Sequence, residues 1–447
     1  MDRDAGIAPV PPQQRIALLD VLRGVAVCGI LAVNIFVMGT VGATQGRNFP
    51  AAWNADWIAW SLERLLLEGP MRGLFTIMFG AGMLMMLRSA EGESPQVIAF
   101  DVWTRRCLAL LAFGIVHFAL LMWPGEILWT YGVAGLALLA FRSARPRTLW
   151  TWALLIIFCL SAFRAYDTSY YLDSYRDAVA GERAIAAGQE PTPEQKAGSA
   201  AAEAARSANY PSEAALSAEV QQRTQLRSLL AWSASGWAFR HLGYYSWHAV
   251  AESLAFMLIG MALYRSGTLT GQAPRRRYLW MLVMGGGIGL ALRLADFAWQ
   301  ARTAFELDIH RINPLMSLLR SAWYQPARLA LTLAWVALSV LLFRAGPRLW
   351  TPPFRAMGRM ALTNYTLQSI LTSLLFYGLA YLGVFGAAGL MLVTLGICLI
   401  TAIFSMVWLS RFAIGPAEWL LRAIAYGSFS MRRRAQAAEV IARSPPL

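Results

Sequence analysis

Lysine is nearly missing from this 447-residue chain: Lys196 is the only one, so the positive charge is almost all arginine, which stays protonated in nearly every setting. Charged residues of both signs reach only 14%, against 57% hydrophobic residues and a positive mean hydropathy, and so little charge excludes a water-soluble surface. The four cysteines, Cys28, Cys107, Cys159 and Cys398, stand singly inside apolar runs without CxxC spacing, which makes them packing residues rather than a redox or zinc motif. No Walker glycine loop, no GxGxxG after a strand, no GxSxG elbow and no HExxH occurs, so nucleotide hydrolysis, NAD chemistry, serine-hydrolase chemistry and a metal site all lose support. No small-residue cleavage site follows the first apolar run, and many equally apolar runs come after it. It reads as a first membrane span, not a removable signal peptide.

What is present is a series of apolar runs. A membrane helix needs about 20 mostly apolar residues. On that template the chain is an all-α polytopic bundle of about ten spans, near residues 18 to 40, 70 to 87, 104 to 123, 126 to 141, 148 to 165, 246 to 265, 278 to 299, 325 to 343, 360 to 381 and 386 to 410. The formal net charge of +14 sits at the ends of these runs, as membrane orientation requires, with little of the aromatic interleaving of a nucleic-acid surface. Arginines collect in alternate connections, including Arg105 and Arg106, Arg142 to Arg147, Arg275 to Arg277 and Arg344 to Arg359. This predicts both termini in the cytoplasm.

Four parts follow from this pattern: residues 1–166 with five spans, a helical periplasmic or interfacial insertion at 167–245, residues 246–427 with five more, and a basic tail at 428–447. The insertion stretch "AGSAAAEAARSANYPSEAALSAEVQQRTQ" predicts two or three surface helices broken near Pro211, with a mobile linker as the alternative. Residues 228 to 245 predict an interfacial or re-entrant helix.

Polar groups at membrane depth are costly and need a partner or a task. In "LLDVLRGVAVCGILAVNIF" Asp20 and Arg23 stand at the helix mouth, and Asn34 follows Arg23 at a rise of about 16 Å. His117 lies at a similar depth on the third span, and Glu126, after a "WPG" turn, is expected to orient it as a general base. Asp20, Arg23, Arg105, Arg106 and Arg359 would converge at the cytoplasmic face to hold the phosphates of an anionic donor such as acyl-CoA. His248 and Glu252 share a helix face near the outer end and, with Asn364 and Gln368, are candidate substrate contacts. Arg293 and Asp296, three apart, are expected to pair.

The stretches "LDVLRGVAVCGILAVN", "LFTIMFGAGM", "RRCLALLAFGIVHFALLMWPGEILWTYGVAGL", "GRMALTNYTLQSILTSLLFYG" and "RFAIGPAEWLLRAIAYG" resemble, in this order, the YeiB-like family of bacterial inner-membrane proteins, labelled a domain of unknown function. That family usually carries Asp at the turn where this chain has Glu126. The opening "LDxLRGxA" is more distantly similar to transmembrane acyltransferases, among them the heparan glucosaminide acetyltransferase and the bacterial O-acyltransferases. In the bacterial O-acyltransferases a catalytic His stands where this chain has Asn34. The heparan enzyme has Asn there and its catalytic His where this chain has Gln45. Both departures leave His117 as the expected base, with Asn34 facing the developing oxyanion. The resemblance implies an acyltransferase that moves an acyl group from cytoplasmic acyl-CoA to a periplasmic, lipid-linked or small-molecule hydroxyl or amine, with no metal. Its surroundings would be the bilayer of the bacterial inner membrane, with a homodimer left open and no nucleic acid. A transporter or exporter is the competing reading, and a membrane scaffold or receptor the third.

Overall fold

A computed structural model describes residues 16–42, 54–88, 95–244, 246–303, 309–346 and 350–427. Gln45, Arg348 and the basic tail lie outside the described residues. Every described element is helical, in the order α1 (Ala17–Gly39), α2 (Ala55–Leu62), α3 (Pro70–Arg88), α4 (Pro95–Leu121), α5 (Leu128–Leu138), α6 (Pro146–Ala186), α7 (Pro193–Asn209), α8 (Glu213–Thr224), α9 (Leu226–His241), α10 (Ser246–Arg265), α11 (Arg275–Arg302), α12 (Pro314–Arg344), α13 (Thr351–Arg359), α14 (Ala361–Ser373), α15 (Ala387–Arg411) and α16 (Pro416–Tyr426). Among the described residues eight helical segments are long and apolar enough to cross a membrane: α1, α2 continuing into α3, the Ala99–Leu121 part of α4, α6, α10, α11, α12 and α15. Two of the ten expected spans are shorter. The fourth is α5 with a 3-10 turn, Leu128–Phe141, and the ninth is α14 running into a π-turn at Leu374–Gly378.

The two membrane halves interleave rather than stand apart, with α1 packed on α13 and α3 on α10. Glycine permits both crossings. A Cβ on Gly80 would meet the Met257 carbonyl of α10, and one on Gly260 would meet the Ile77 carbonyl of α3, so the two backbones touch reciprocally. We expect Gly80→Ala to destabilise the protein by about 1–3 kcal/mol, the usual cost of overpacking, and thermal unfolding in detergent measures it. An unchanged unfolding curve would mean that α3 and α10 do not cross so closely.

α6 is 41 residues long, about 61 Å of helix, twice the bilayer's hydrocarbon thickness, so its second half projects beyond the bundle. The insertion is helical: α7 starts in a capping box of Thr192 and Gln195, and the break at Pro211 leads to Ser212 capping α8. Arg223 of α8 fastens it to the bundle. This side chain, 2% exposed, donates to the carbonyl oxygens of Met38 (2.9 Å), Val37 (3.2 Å) and Thr40 (2.8 Å) at the end of α1, and to the Tyr377 hydroxyl at 3.0 Å. A cation there satisfies the carbonyls that a helix C-terminus leaves open.

One expected pair is corrected. Arg293 donates to Glu68 Oε2 at 2.6 Å and to the Glu68 carbonyl at 2.7 Å, while Asp296 faces Arg320 at 3.5 Å and accepts from Gln300 at 2.9 Å. Residues three apart share a face, but that face packs on the α2–α3 link and α12. Side chains from a neighbouring helix approach head-on, whereas those on one helix must reach along it.

Candidate functional site: two cavities that meet at Tyr131

The break between α13 and α14 shapes the first cavity. Glu418 of α16 accepts from the backbone N–H of Leu362 (2.6 Å) and Thr363 (3.2 Å), closing the open start of α14. Gly358 lies against the Asp20 backbone, which brings the end of α13 and Arg359 beside the mouth of α1. Here a cavity of about 240 Å³ is lined by Asp20, Arg23, Arg106, Arg359, Glu418 and Arg422, with Tyr365 and Tyr131 also in its wall. Four of the five expected donor-site residues therefore meet.

Arg23 Nη1 donates to Asp20 Oδ1 at 3.3 Å, and the buried Asp20 Oδ2 has no hydrogen-bond partner. Arg106 lies 5.9 Å from the ring centres of Phe79 and Trp103, its buried Nε without a partner. Arg359 Nη2 donates to the Ala413 carbonyl at 2.9 Å. Arg105 is the exception: it is exposed and paired with Asp101 at 2.7 Å. Successive helical residues point about 100° apart, so Arg105 and Arg106 cannot both face the cavity.

The second cavity, about 550 Å³, lies towards the insertion end. Glu252 anchors its wall, ion-paired with Arg72 of α3 and Arg328 of α12 and accepting from Gln325 Nε2 at 2.8 Å. One turn earlier on α10, His248 lines the same cavity, its ring stacked on Trp247 (3.9 Å between centroids) and against Phe163 (4.5 Å).

Tyr131 of α5 belongs to both cavity walls. The Thr76 hydroxyl donates to the Arg72 carbonyl at 2.7 Å, so the Tyr131 hydroxyl, 2.5 Å away, donates to Thr76. A single tyrosine tied to α3 thus stands between two polar chambers.

The expected base lies elsewhere. His117 is 3% exposed, lines neither cavity, stacks on Tyr365 (4.9 Å between centroids) and bonds through Nε2 to Ser369 Oγ at 2.9 Å. Since Ser369 donates its own hydrogen to the Tyr365 carbonyl, His117 Nε2 is the donor. Glu126 does not orient it. The two oxygens of Glu126 accept from the Leu128 N–H (2.5 Å), the Trp129 N–H (3.1 Å) and Trp237 Nε1 (3.0 Å), and His241 Nε2 lies 3.3 Å away. Glu126 therefore closes the start of α5 and bolts α9 to it, which leaves nothing for His117. Asn34 is half-buried, lines neither cavity and has no hydrogen bond among the described residues. Asn364 is engaged by the Met357 carbonyl (3.0 Å) and Ser405 (2.9 Å), and buried Gln368 also lines neither cavity.

Sequence reasoning missed His241, which sits at the end of a helix whose docking onto Glu126 no local pattern announces. It also missed Tyr131 and Arg72. A tyrosine inside a short apolar helix was the only available signal for the first. Among the described residues no group of three His, Cys, Asp or Glu could hold a metal ion.

An all-helical bundle with eight membrane-length apolar helices and two back-to-back polar cavities defines a multi-pass membrane protein. Residues 263–428 match the family described as Protein of unknown function (DUF418). The chain is 30% identical over 440 residues to the uncharacterized protein YxaH of Bacillus subtilis (strain 168), covering 95% of this chain and 98% of that one. It is 28% identical over 441 residues to the uncharacterized protein YeiB of Escherichia coli (strain K12), covering 92% and 96%. The chain belongs to this YeiB-like DUF418 family. No solved structure matches it.

Proposed function

We propose that the protein is an acyltransferase of the bacterial inner membrane that takes an acyl group from cytoplasmic acyl-CoA and passes it to an acceptor hydroxyl or amine in the second cavity. The observation that carries this reading is the pair of chambers sharing Tyr131, each lined by four arginines and by carboxylates, with His248 in the second. The arginine-bearing connections of the sequence, among them Arg105 and Arg106 and Arg344 to Arg359, would put the first chamber at the cytoplasmic face. Arg23, Arg106 and Arg359 would hold the donor's phosphates through forked, charged hydrogen bonds, with Asp20 setting the direction of Arg23. The pantetheine arm would then point at Tyr131.

In the chemical step the acceptor oxygen or nitrogen attacks the thioester carbonyl, the carbon–sulfur bond breaks, and CoA leaves as its thiolate. His248 takes the acceptor's proton and returns it to the leaving sulfur. The Tyr131 hydroxyl, turned from Thr76, would donate to the developing oxyanion. Glu252, paired with two guanidinium groups, would hold that wall in place.

Binding of CoA is the first test. Thermal-shift titration of the purified protein should show stabilisation by CoA and acetyl-CoA that weakens with salt. Arg106→Gln should lower the affinity about tenfold, since a hydrogen bond to a charged group is worth roughly a tenfold factor in binding. No stabilisation of folded protein by either compound would remove the donor, and the same partition would then favour passage of a small anion past Tyr131.

A further inference from the structure

The charges of the second cavity do not balance. It is lined by Arg72, Arg164, Arg240 and Arg320 against Glu126, Asp167 and Glu252. The three carboxylates are already engaged: Glu126 by three donors with His241 beside it, Glu252 by two arginines at once, and Asp167 by a partner of its own. Arg320 faces Asp296 at 3.5 Å, outside the cavity wall.

Arg164 and Arg240 remain. Arg164 lies over the Tyr324 ring at 4.3 Å, and neither its guanidinium nor that of Arg240 has a hydrogen bond or ion pair among the described residues. Arg72 spends one nitrogen on Glu252, and its side chain is still 43% exposed. Arg164 and Arg240 are both exposed, so their guanidinium groups are open to the cavity. Like charges gathered along one cavity wall attract an anion.

We infer that the second cavity binds an anionic oxygen group, a phosphate or carboxylate, with Arg164, Arg240 and the exposed edge of Arg72 as its donors. The guanidinium fork suits either group, and the hydroxyls of Thr130 and Ser253 in the same wall complete a polar lining. As a statement about the acceptor, this rests on the acyl-transfer reading. As a statement about binding, it stands alone.

The anion would be a soluble molecule or a lipid headgroup, and two arms separate them. In the first, full-length protein in phosphatidylcholine nanodiscs is titrated with inorganic pyrophosphate and its melting temperature followed. In the second, melting is compared in nanodiscs with increasing phosphatidylglycerol and no pyrophosphate. Stabilisation in the first arm identifies a soluble anion, and stabilisation in the second arm alone identifies a headgroup. In either, the response should persist in Arg106→Gln and weaken about tenfold in Arg240→Gln and in Arg164→Gln, the factor expected for one charged hydrogen bond. No response in both arms overturns the inference, as does a response that Arg240→Gln and Arg164→Gln leave unchanged or that Arg106→Gln abolishes. CoA binding without an outer response would defeat this inference and spare the acyl-transfer reading. An outer response without CoA binding would do the reverse.

Discussion

Glu252→Ala should cost the protein about 3–5 kcal/mol of stability, the range for removing one partner of a buried ion pair. Glu252 is 8% exposed and is shared by Arg72 and Arg328, which come from helices distant in the chain. Its loss leaves two guanidinium groups facing each other beside the Phe256 ring, over which Arg328 lies at 4.7 Å. Gln325 Nε2 loses its acceptor as well. Glu252→Gln keeps the shape and one acceptor and should fall between wild type and Glu252→Ala. Thermal and denaturant unfolding in detergent measures both. Wild-type stability in Glu252→Ala would show that water in the cavity, rather than this carboxylate, compensates the two arginines.

His248→Gln is expected to lower CoA release by about 100-fold to 10,000-fold, the range for losing a general base, with CoA affinity unchanged. His117→Gln is the control. There a glutamine can still donate to Ser369, and the loss is at most a membrane hydrogen bond, about 0.6–2 kcal/mol of stability, with turnover near wild type. The readout is single-turnover thiol release from acetyl-CoA with an accepted hydroxyl or amine. Normal turnover in His248→Gln with loss in His117→Gln would return the base to the third expected span and leave the second cavity without a chemical role.

The sequence by itself determined the class of this protein. Apolar runs of membrane length, sparse charge and arginines at the run ends need no tertiary information, because hydropathy adds up locally along a helix. Local spacing also carried the Asp20 and Arg23 contact, since three residues make nearly one turn. The meeting of Asp20, Arg23, Arg106 and Arg359 was legible for a related reason. Each stands at the same end of an apolar run, so the membrane brings them to one level before any packing is known.

Only the tertiary structure decided which side of each helix faces which neighbour. Level alone placed Arg105 in the first cavity, but helix rotation turned it out to Asp101. Depth alone matched His117 with Glu126, but the docking of α9 supplied His241 and Trp237 instead. The pairing of Arg293 with Glu68 and the sharing of Glu252 by α3 and α12 depend on contacts 225, 180 and 76 residues apart, and no pattern along the chain records them. Tyr131 acquires its place between the chambers in the same way. A residue's depth follows from the chain and the bilayer, whereas its partners follow from the rotation and order of helices, which packing alone sets.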